Sequence, residues 1–197
     1  MSILEFGAAE ESYLPDDIKP SRHVGVGLNT KLMEENPSLT DRLQIDLNKV
    51  VVDRDVDSDE LRKLISEPFD AIIMANTMEY LTHPREVLRS AWYLLKPGGV
   101  MINAFTTGKA FTEKFERAQT KMWRDFNDDQ HMWIAGSFFQ FSAGEGWEGL
   151  MAFEIRLAET LAHDAGQHGV PAAGGRVFVN AAAGGEKAAG DIRAVPA

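Results

Sequence analysis

The chain contains no cysteine, so disulfide frameworks, thiolate metal sites and cysteine nucleophiles are excluded together. It has no apolar run near the roughly 20 residues that a membrane-spanning helix requires. Its first residues, Met1-Ser2-Ile3-Leu4-Glu5-Phe6-Gly7, lack the charged and apolar regions of a signal peptide. Positive charge is scarce: 20 basic against 30 acidic residues leave a net charge of -10. That balance argues against non-specific binding to a phosphate backbone, so no nucleic-acid partner is expected. A core is not lacking. Of 197 residues, 44% are hydrophobic and 25% charged, which excludes a disordered or collagen-like chain. The expectation is one acidic, soluble, intracellular domain, with cytoplasm and organelle (a plastid included) left open.

Short apolar runs alternate with helical segments over the first half. Ile3-Leu4-Glu5-Phe6 ends at Gly7, His23 to Leu28 ends at Asn29, and Arg42 to Leu47 is a third, more amphipathic run. Phe69 to Ala75 is nearly continuous apolar, as in a strand buried on both faces. Gly99 to Phe105 follows the turn signal Lys96-Pro97-Gly98. Helices are expected over Ser58–Ser66, with Leu61, Leu64 and Ile65 at helical spacing, and over Pro84–Leu95, with Pro84 in the first turn. Strands alternating with helices predict an α/β fold, a mainly parallel open sheet with helices on both faces. Lys109–Asn127 and Asp128–Phe141 read as further helices, and Leu150–Leu157 and Gly175–Ala181 as final strands. Residues 1–157 are expected to form the core, 158–183 to complete the same domain, and 184–197, rich in alanine and glycine, to be a flexible tail.

Open α/β sheets bind ligands at the carboxyl ends of their strands. The candidates are therefore Gly7-Ala8-Ala9, Leu28-Asn29, Asp46-Leu47-Asn48 and Ala75-Asn76-Thr77. Small residues after the first strand allow close backbone approach, and amides there can meet a carboxylate or phosphate. A polar side chain ending the second strand can bond ribose hydroxyls, and an Asp ending the third can accept from an exocyclic amine. Taken singly, Gly7, Asn29 and Asn48 also read as ordinary turn residues. Their joint placement at successive strand ends favours a ligand site.

Three stretches carry a family resemblance: Phe69 to Ala75, then Tyr80-Leu81-Thr82-His83-Pro84-Arg85-Glu86-Val87, then Leu94-Leu95-Lys96-Pro97-Gly98-Gly99. Together they resemble the second half of a class I S-adenosylmethionine-dependent methyltransferase, most narrowly the type 11 methyltransferase domain. Tyr13-Leu14-Pro15, Gly25 to Asn29 and Gln44 to Asn48 are similar to a subgroup, found in bacteria and in plant and algal lineages, with a degenerate glycine motif. The resemblance covers Ile3 to Phe105. It implies a Rossmann-like twisted sheet of strand order 3-2-1-4-5-7-6 with the seventh strand antiparallel. It implies S-adenosyl-L-methionine as cofactor and methyl transfer to a small-molecule acceptor.

Carried over by position, Glu5, Gly7, Ala8 and Ala9 stand where the family has its acidic, glycine-rich first motif. Leu28 and Asn29 stand at the ribose position, Asp46 and Leu47 at the adenine, and Asn76 near the cofactor's methyl group. Ala9 and Glu11 replace later glycines of the motif, and Asn29 replaces the usual ribose acid. The resemblance implies a helix before the first strand; none stands ahead of Ile3, so either the chain begins late or it never had this lid. These departures define an alternative expectation: a methyltransferase fold without turnover, serving as a binding or structural subunit of a larger assembly. Methyl transfer by in-line displacement rests on proximity and orientation, so no catalytic residue is named.

Other constellations carry less. None of the five histidines (His23, His83, His131, His163, His168) forms a helical pair, and no metal site is expected. His83, before Pro84, reads as a helix cap or a solvent-exposed residue, with a general base as the sharper reading. Gly25-Val26-Gly27 lies inside a strand run and is a weak dinucleotide signal. Asp53 to Glu60 lacks the glycine and glutamate of a calcium loop. The aromatic-rich stretch Trp123 to Trp147 is core, substrate pocket or a surface for a protein partner.

Overall fold

The computed structural model describes residues 1–15, 17–50, 67–106, 123, 125–143, 146–155 and 175–182. Seven strands form one sheet: β1 (Ser2–Phe6), β2 (Arg22–Gly27), β3 (Asp41–Gln44), β4 (Phe69–Ala75), β5 (Leu95–Thr106), β6 (Trp147–Ile155) and β7 (Gly175–Ala182). Their order is β3-β2-β1-β4-β5-β7-β6. The first five pair in parallel, and β7 enters antiparallel between β5 and β6. This is the open α/β sheet with a reversed last strand that the resemblance implies.

The described helices are α1 (Thr30–Glu35), α2 (Leu47–Val50), α3 (Pro84–Leu94) and α4 (Asp128–Gln140), with a 3-10 turn over Met78–Tyr80. Strand side chains alternate between the two faces of the sheet. Leu4, Phe6, Val24, Val26, Ile72, Met74, Met101 and Phe105 form one core with Val87, Leu88 and Ala91 of α3 and Phe139 of α4. On the other face Met33 of α1 packs with Ala8 and Leu39. A Cβ added at Gly25 would meet a methyl of Leu39 at 2.6 Å and Ala8 at 2.9 Å, so that glycine makes room for packing on this second face. Burial on both faces is why β1 and β4 are apolar almost throughout.

The elements differ from the sequence expectation at several points, among them the start of β6, which lies at Trp147 and not at Leu150. β3 ends at Gln44, because Asp46 turns the chain: its side chain accepts from Asn48 N–H at 3.0 Å and its carbonyl from Lys49 N–H at 2.9 Å, opening α2. Ile45 and Leu47, read as strand residues, enter the core from this turn. β5 begins at Leu95, not Gly99, with Lys96 to Gly99 as an irregularity between the pairs Phe69–Leu95 and Ala71–Val100. Gly98 supplies the required positive φ of 73°. Lys96 Nζ then reaches Asp70 Oδ1 at 2.6 Å, and Asp70 Oδ2 accepts the Ser2 N–H at 2.6 Å, fastening the start of β1 to β4. Finally α1 was not foreseen: six residues present too little periodicity to read, and the Asn29 side chain caps it.

Among the described residues of the β1–β2 crossover there is no helix. Pro15 and Pro20 break up a segment of ordinary helix length, and Ile18 N–H closes a turn on the Pro15 carbonyl at 3.0 Å. The expected helix Ser58–Ser66, most of Lys109–Asn127, the acidic run Asp53 to Glu60, His163, His168 and residues 184–197 lie outside the described residues. No described helix is long and apolar enough to cross a membrane.

Candidate functional site

The parallel register places the carboxyl ends of β3, β2, β1 and β4 side by side: Gln44 pairs with Gly27, Val26 with Phe6, and Phe6 with Met74. All the strand-end candidates thus follow one edge of the sheet. Their individual environments differ.

Glu5 is the most enclosed. Its carboxylate accepts from Ser12 Oγ at 2.9 Å and from Tyr13 N–H at 3.3 Å, and lies 3.0 Å from His23 Nε2. The Glu5 and His23 side chains are 1% and 0% exposed. Glu5 therefore acts behind the loop that follows β1, holding it against β2. Gly7 has φ 76°, and a Cβ there would come within 2.0 Å of Thr77 Oγ1. No other residue fits without displacing the β4 end. The N–H groups of Gly7 and Ala8 both donate to the Val26 carbonyl, at 2.8 and 3.0 Å. Ala8 is buried, and the Ala9 carbonyl accepts from Asn36 Nδ2 at 3.0 Å. A Cβ at Gly27 would meet the Ala8 carbonyl at 2.5 Å. The two strand glycines Gly25 and Gly27 thus serve close contact between the β1 loop and β2, which is why they lie inside a strand and not after one.

At the β2 end Leu28 is 53% exposed, an open apolar side chain beside the polar Asn29. Asn29 Oδ1 accepts from Leu32 N–H at 3.4 Å, a long capping bond. At the β3 end Leu47 packs into the main core, whereas Asp46 is half-buried. Asn48 bridges the β3 and β4 sides: Oδ1 accepts from Thr82 N–H at 2.7 Å and Thr82 Oγ1 at 3.0 Å, and Nδ2 donates to the Tyr80 carbonyl at 3.4 Å.

After β4, Asn76 is a non-glycine residue at φ 47°. Its Nδ2 donates to the Tyr13 hydroxyl at 3.1 Å, a link between the β1 loop and the end of β4. Thr77 Oγ1 donates to the Ala75 carbonyl at 2.8 Å. Glu79 is buried, and burial, followed by the charge of Glu79, pushes the Tyr80 phenol above its ordinary pKa. His83 is exposed and makes no side-chain cap bond to α3; its Nδ1 lies 2.9 Å from Thr82 Oγ1.

Tyr13, Thr82 and His23 are participants that the sequence did not single out for this site, although Tyr13 and Thr82 stand in stretches that carry the resemblance; Thr77 belongs to the expected strand end Ala75-Asn76-Thr77. The aromatic stretch divides: Trp123 and Phe139 are buried, with Trp123 stacked on His131 and edge-on to Phe105. Trp147 packs edge-on to Phe139 and donates to Ser142 Oγ at 2.8 Å. Trp133 and Phe141 are exposed, at 72% and 63%. Among the described residues no group of three or more His, Asp or Glu could hold a metal ion.

A family model described as a methyltransferase domain matches residues 10–101. No curated protein matches the sequence. Among solved structures, the CurJ carbon methyltransferase superposes with a TM-score of 0.56 at 17% identity, covering 92% of this chain and 48% of that one. A chain of a Haloferax volcanii complex that contains the Trm112 methyltransferase activator gives 0.54 at 15% identity, covering 92% of this chain and 82% of that one. An S-adenosylmethionine-dependent methyltransferase from Mesorhizobium loti gives 0.53 at 11% identity, covering 91% and 90%. This chain spans about half the length of the CurJ enzyme chain. With the strand order on which all this rests, the fold is that of the class I S-adenosylmethionine-dependent methyltransferases.

Proposed function

We propose that the chain binds S-adenosyl-L-methionine across the ends of β1 to β4 and transfers its methyl group to a small-molecule acceptor. The observation that carries this reading is the donor and acceptor set at the ends of β2 and β3. Leu28 is an open apolar surface suited to a flat ring. Asn29 keeps its amide N–H groups for ribose hydroxyls, and Asp46 keeps the oxygen that Asn48 N–H does not engage. Apolar surface, hydroxyl partner and amine acceptor in sequence suit an adenosine. For the amino-acid end, the N–H groups of Ala9, Glu10 and Glu11 donate to none of the described residues and are free to meet a carboxylate. When bound, the cofactor supplies a sulfonium methyl group open to in-line displacement. The chain's share is orientation: Glu5 and His23 fix the β1 loop, Gly7 lets it pass Thr77, and Asn76 and Tyr13 border the acceptor side.

A second reading rests on the same loop. With Gly7 and Ala8 amides committed to Val26, Tyr13 bonded across to Asn76, and no described helix offering its N-terminus after β1, the site is closed by the chain's own groups. On that reading the fold is a non-catalytic subunit. Its exposed Trp133 and Phe141 would face a protein partner, a use supported by the Trm112 complex of the Haloferax protein.

Titration calorimetry with S-adenosylmethionine and S-adenosylhomocysteine separates the two. The first reading predicts binding of both that is weakened about tenfold by Asp46→Ala. Absence of heat and of any thermal shift at millimolar ligand contradicts it and favours the second.

A further inference from the structure

Helix α4 is apolar on two opposite sides. His131, Ala135 and Phe139, spaced by four, are its buried row. Trp133, Ser137 and Phe141 form a second row, two positions further on and so on the far side of the helix. Trp133 and Phe141, the latter closing the helix as its C-cap, are the two most exposed large hydrophobic side chains among the described residues. A helix that is apolar all round is ordinarily covered all round, so the open row lacks its cover. It offers no free polar group either: Ser137 Oγ donates to the Trp133 carbonyl at 2.8 Å, turning its hydroxyl back on the helix. No Asp, Glu, Lys or Arg stands between Asp129 and Glu145. Gly136 and Ser137 leave a low saddle between the two aromatics, which stand about 12 Å apart along the axis.

Charge decides what covers this row. Residues 125–155 contain Asp125, Asp128, Asp129, Glu145, Glu148 and Glu154 but no Lys or Arg. Asp125, Asp129 and Glu148 are exposed, and Asp129 stands one turn before Trp133 on the same row. A second copy of the chain would bring like charge to this acidic surround, and so would an anionic lipid surface. A cationic partner meets it with opposite charge. We propose that the Trp133–Phe141 row of α4 docks a basic amphipathic helix of a protein partner, running antiparallel to α4. An apolar side chain of that helix seats on Ser137 between the two aromatics, as a ridge enters a groove. Lys or Arg in its last turn faces Asp129, at the helix end where cations are favoured. The proposal rests on the partner surface of the second reading above, and holds whether or not the strand ends take a cofactor.

The test uses the full chain and a synthetic amphipathic helix as probe, with a leucine stripe and Lys in its last two turns. A control peptide carries Glu in place of Lys. Calorimetry is expected to give micromolar binding of the Lys probe, and amide shifts centred on Asp129 to Phe141. Trp133→Ala and Phe141→Ala are each expected to weaken it about tenfold or more while leaving the melting temperature unchanged. Asp129→Asn is expected to weaken it about threefold and to flatten its salt dependence. Equal binding of the two peptides, or binding indifferent to both aromatic variants, overturns the proposal. A melting temperature lowered by Trp133→Ala also overturns it, since the chain would then cover this row itself. The native chain is expected to sediment as a monomer. A dimer that Trp133→Ala dissolves, or binding to phosphatidylglycerol vesicles that needs Trp133, gives the row another occupant and overturns the proposal. Failure of the second reading is seen separately: binding of S-adenosylhomocysteine contradicts the non-catalytic reading and leaves the peptide result standing.

Discussion

Nε2 of His23 stands 3.0 Å from Oε2 of Glu5, with both side chains shut off from solvent. His23 Nδ1 faces the Ser38 carbonyl at 3.0 Å, so it must donate there. The imidazole and the carboxylate consequently share one proton between them. This neutral pair, on the face opposite the main core, ties β1 to β2 and to the loop carrying Ser12 and Tyr13.

Removing one member leaves the other buried without its partner. Glu5→Ala is expected to lower stability by about 3 kcal/mol, with Glu5→Gln costing less because an amide still offers one acceptor and one donor. Urea unfolding followed by fluorescence checks this. An alanine variant within about 0.5 kcal/mol of the native chain, the range of a neutral surface change, contradicts it.

Gly7 answers to two constraints that can be separated. Its φ of 76° disfavours any side chain, and an added Cβ would strike Thr77 Oγ1. Gly7→Ala is expected to cost about 1–3 kcal/mol. Adding Thr77→Ala should recover the steric share and leave about 1 kcal/mol from the backbone. Thermal unfolding of the single and double variants measures both. A double variant no more stable than Gly7→Ala alone argues against the contact.

Asp70 joins Lys96 and Ser2 at the opposite end of the sheet, and these bonds lower its pKa to about 2, the Lys96 bond contributing most. A depressed carboxylate pKa stabilises the fold above the unfolded value near 3.8 and loses that contribution as pH falls through about 2. Since both side chains are partly exposed, solvent screening keeps the gain to about 1 kcal/mol or less. Asp70→Asn should therefore lower the melting temperature by about 2–4 °C or less at pH 7, with the gap narrowing as pH falls from about 4 and vanishing only below about 2. A gap as large at pH 2 as at pH 7 contradicts the assignment.

The sheet was readable because its strands are short, apolar and punctuated. Phe69 to Ala75 is delimited by sequence alone, since burial on both faces leaves no alternation to misread. β3 was overextended because Ile45 and Leu47 look like strand residues although they reach the core from a turn made by Asp46. The strand-end candidates share one sheet edge, as the strand pattern implies. What could not be read is which of their groups are already engaged. The commitment of Gly7 and Ala8 amides to Val26, and of Glu5 to His23, depends on the register of strands that are 20 residues apart in sequence. Thr82 and His83 join Asn48 through contacts 34 residues distant, which no local pattern encodes.

The central claim is that the ends of β1 to β4 receive an adenosyl ligand. Amide chemical shifts of the 15N-labelled chain, followed during titration with S-adenosylhomocysteine, test it most directly. Saturable shifts are expected at Ala9 to Glu11, Leu28, Asn29, Asp46 to Asn48 and Asn76, and not at Asp70 or Lys96 on the opposite end of the sheet. Shifts absent from these strand ends at millimolar ligand, or spread evenly over both ends of the sheet, would contradict the account.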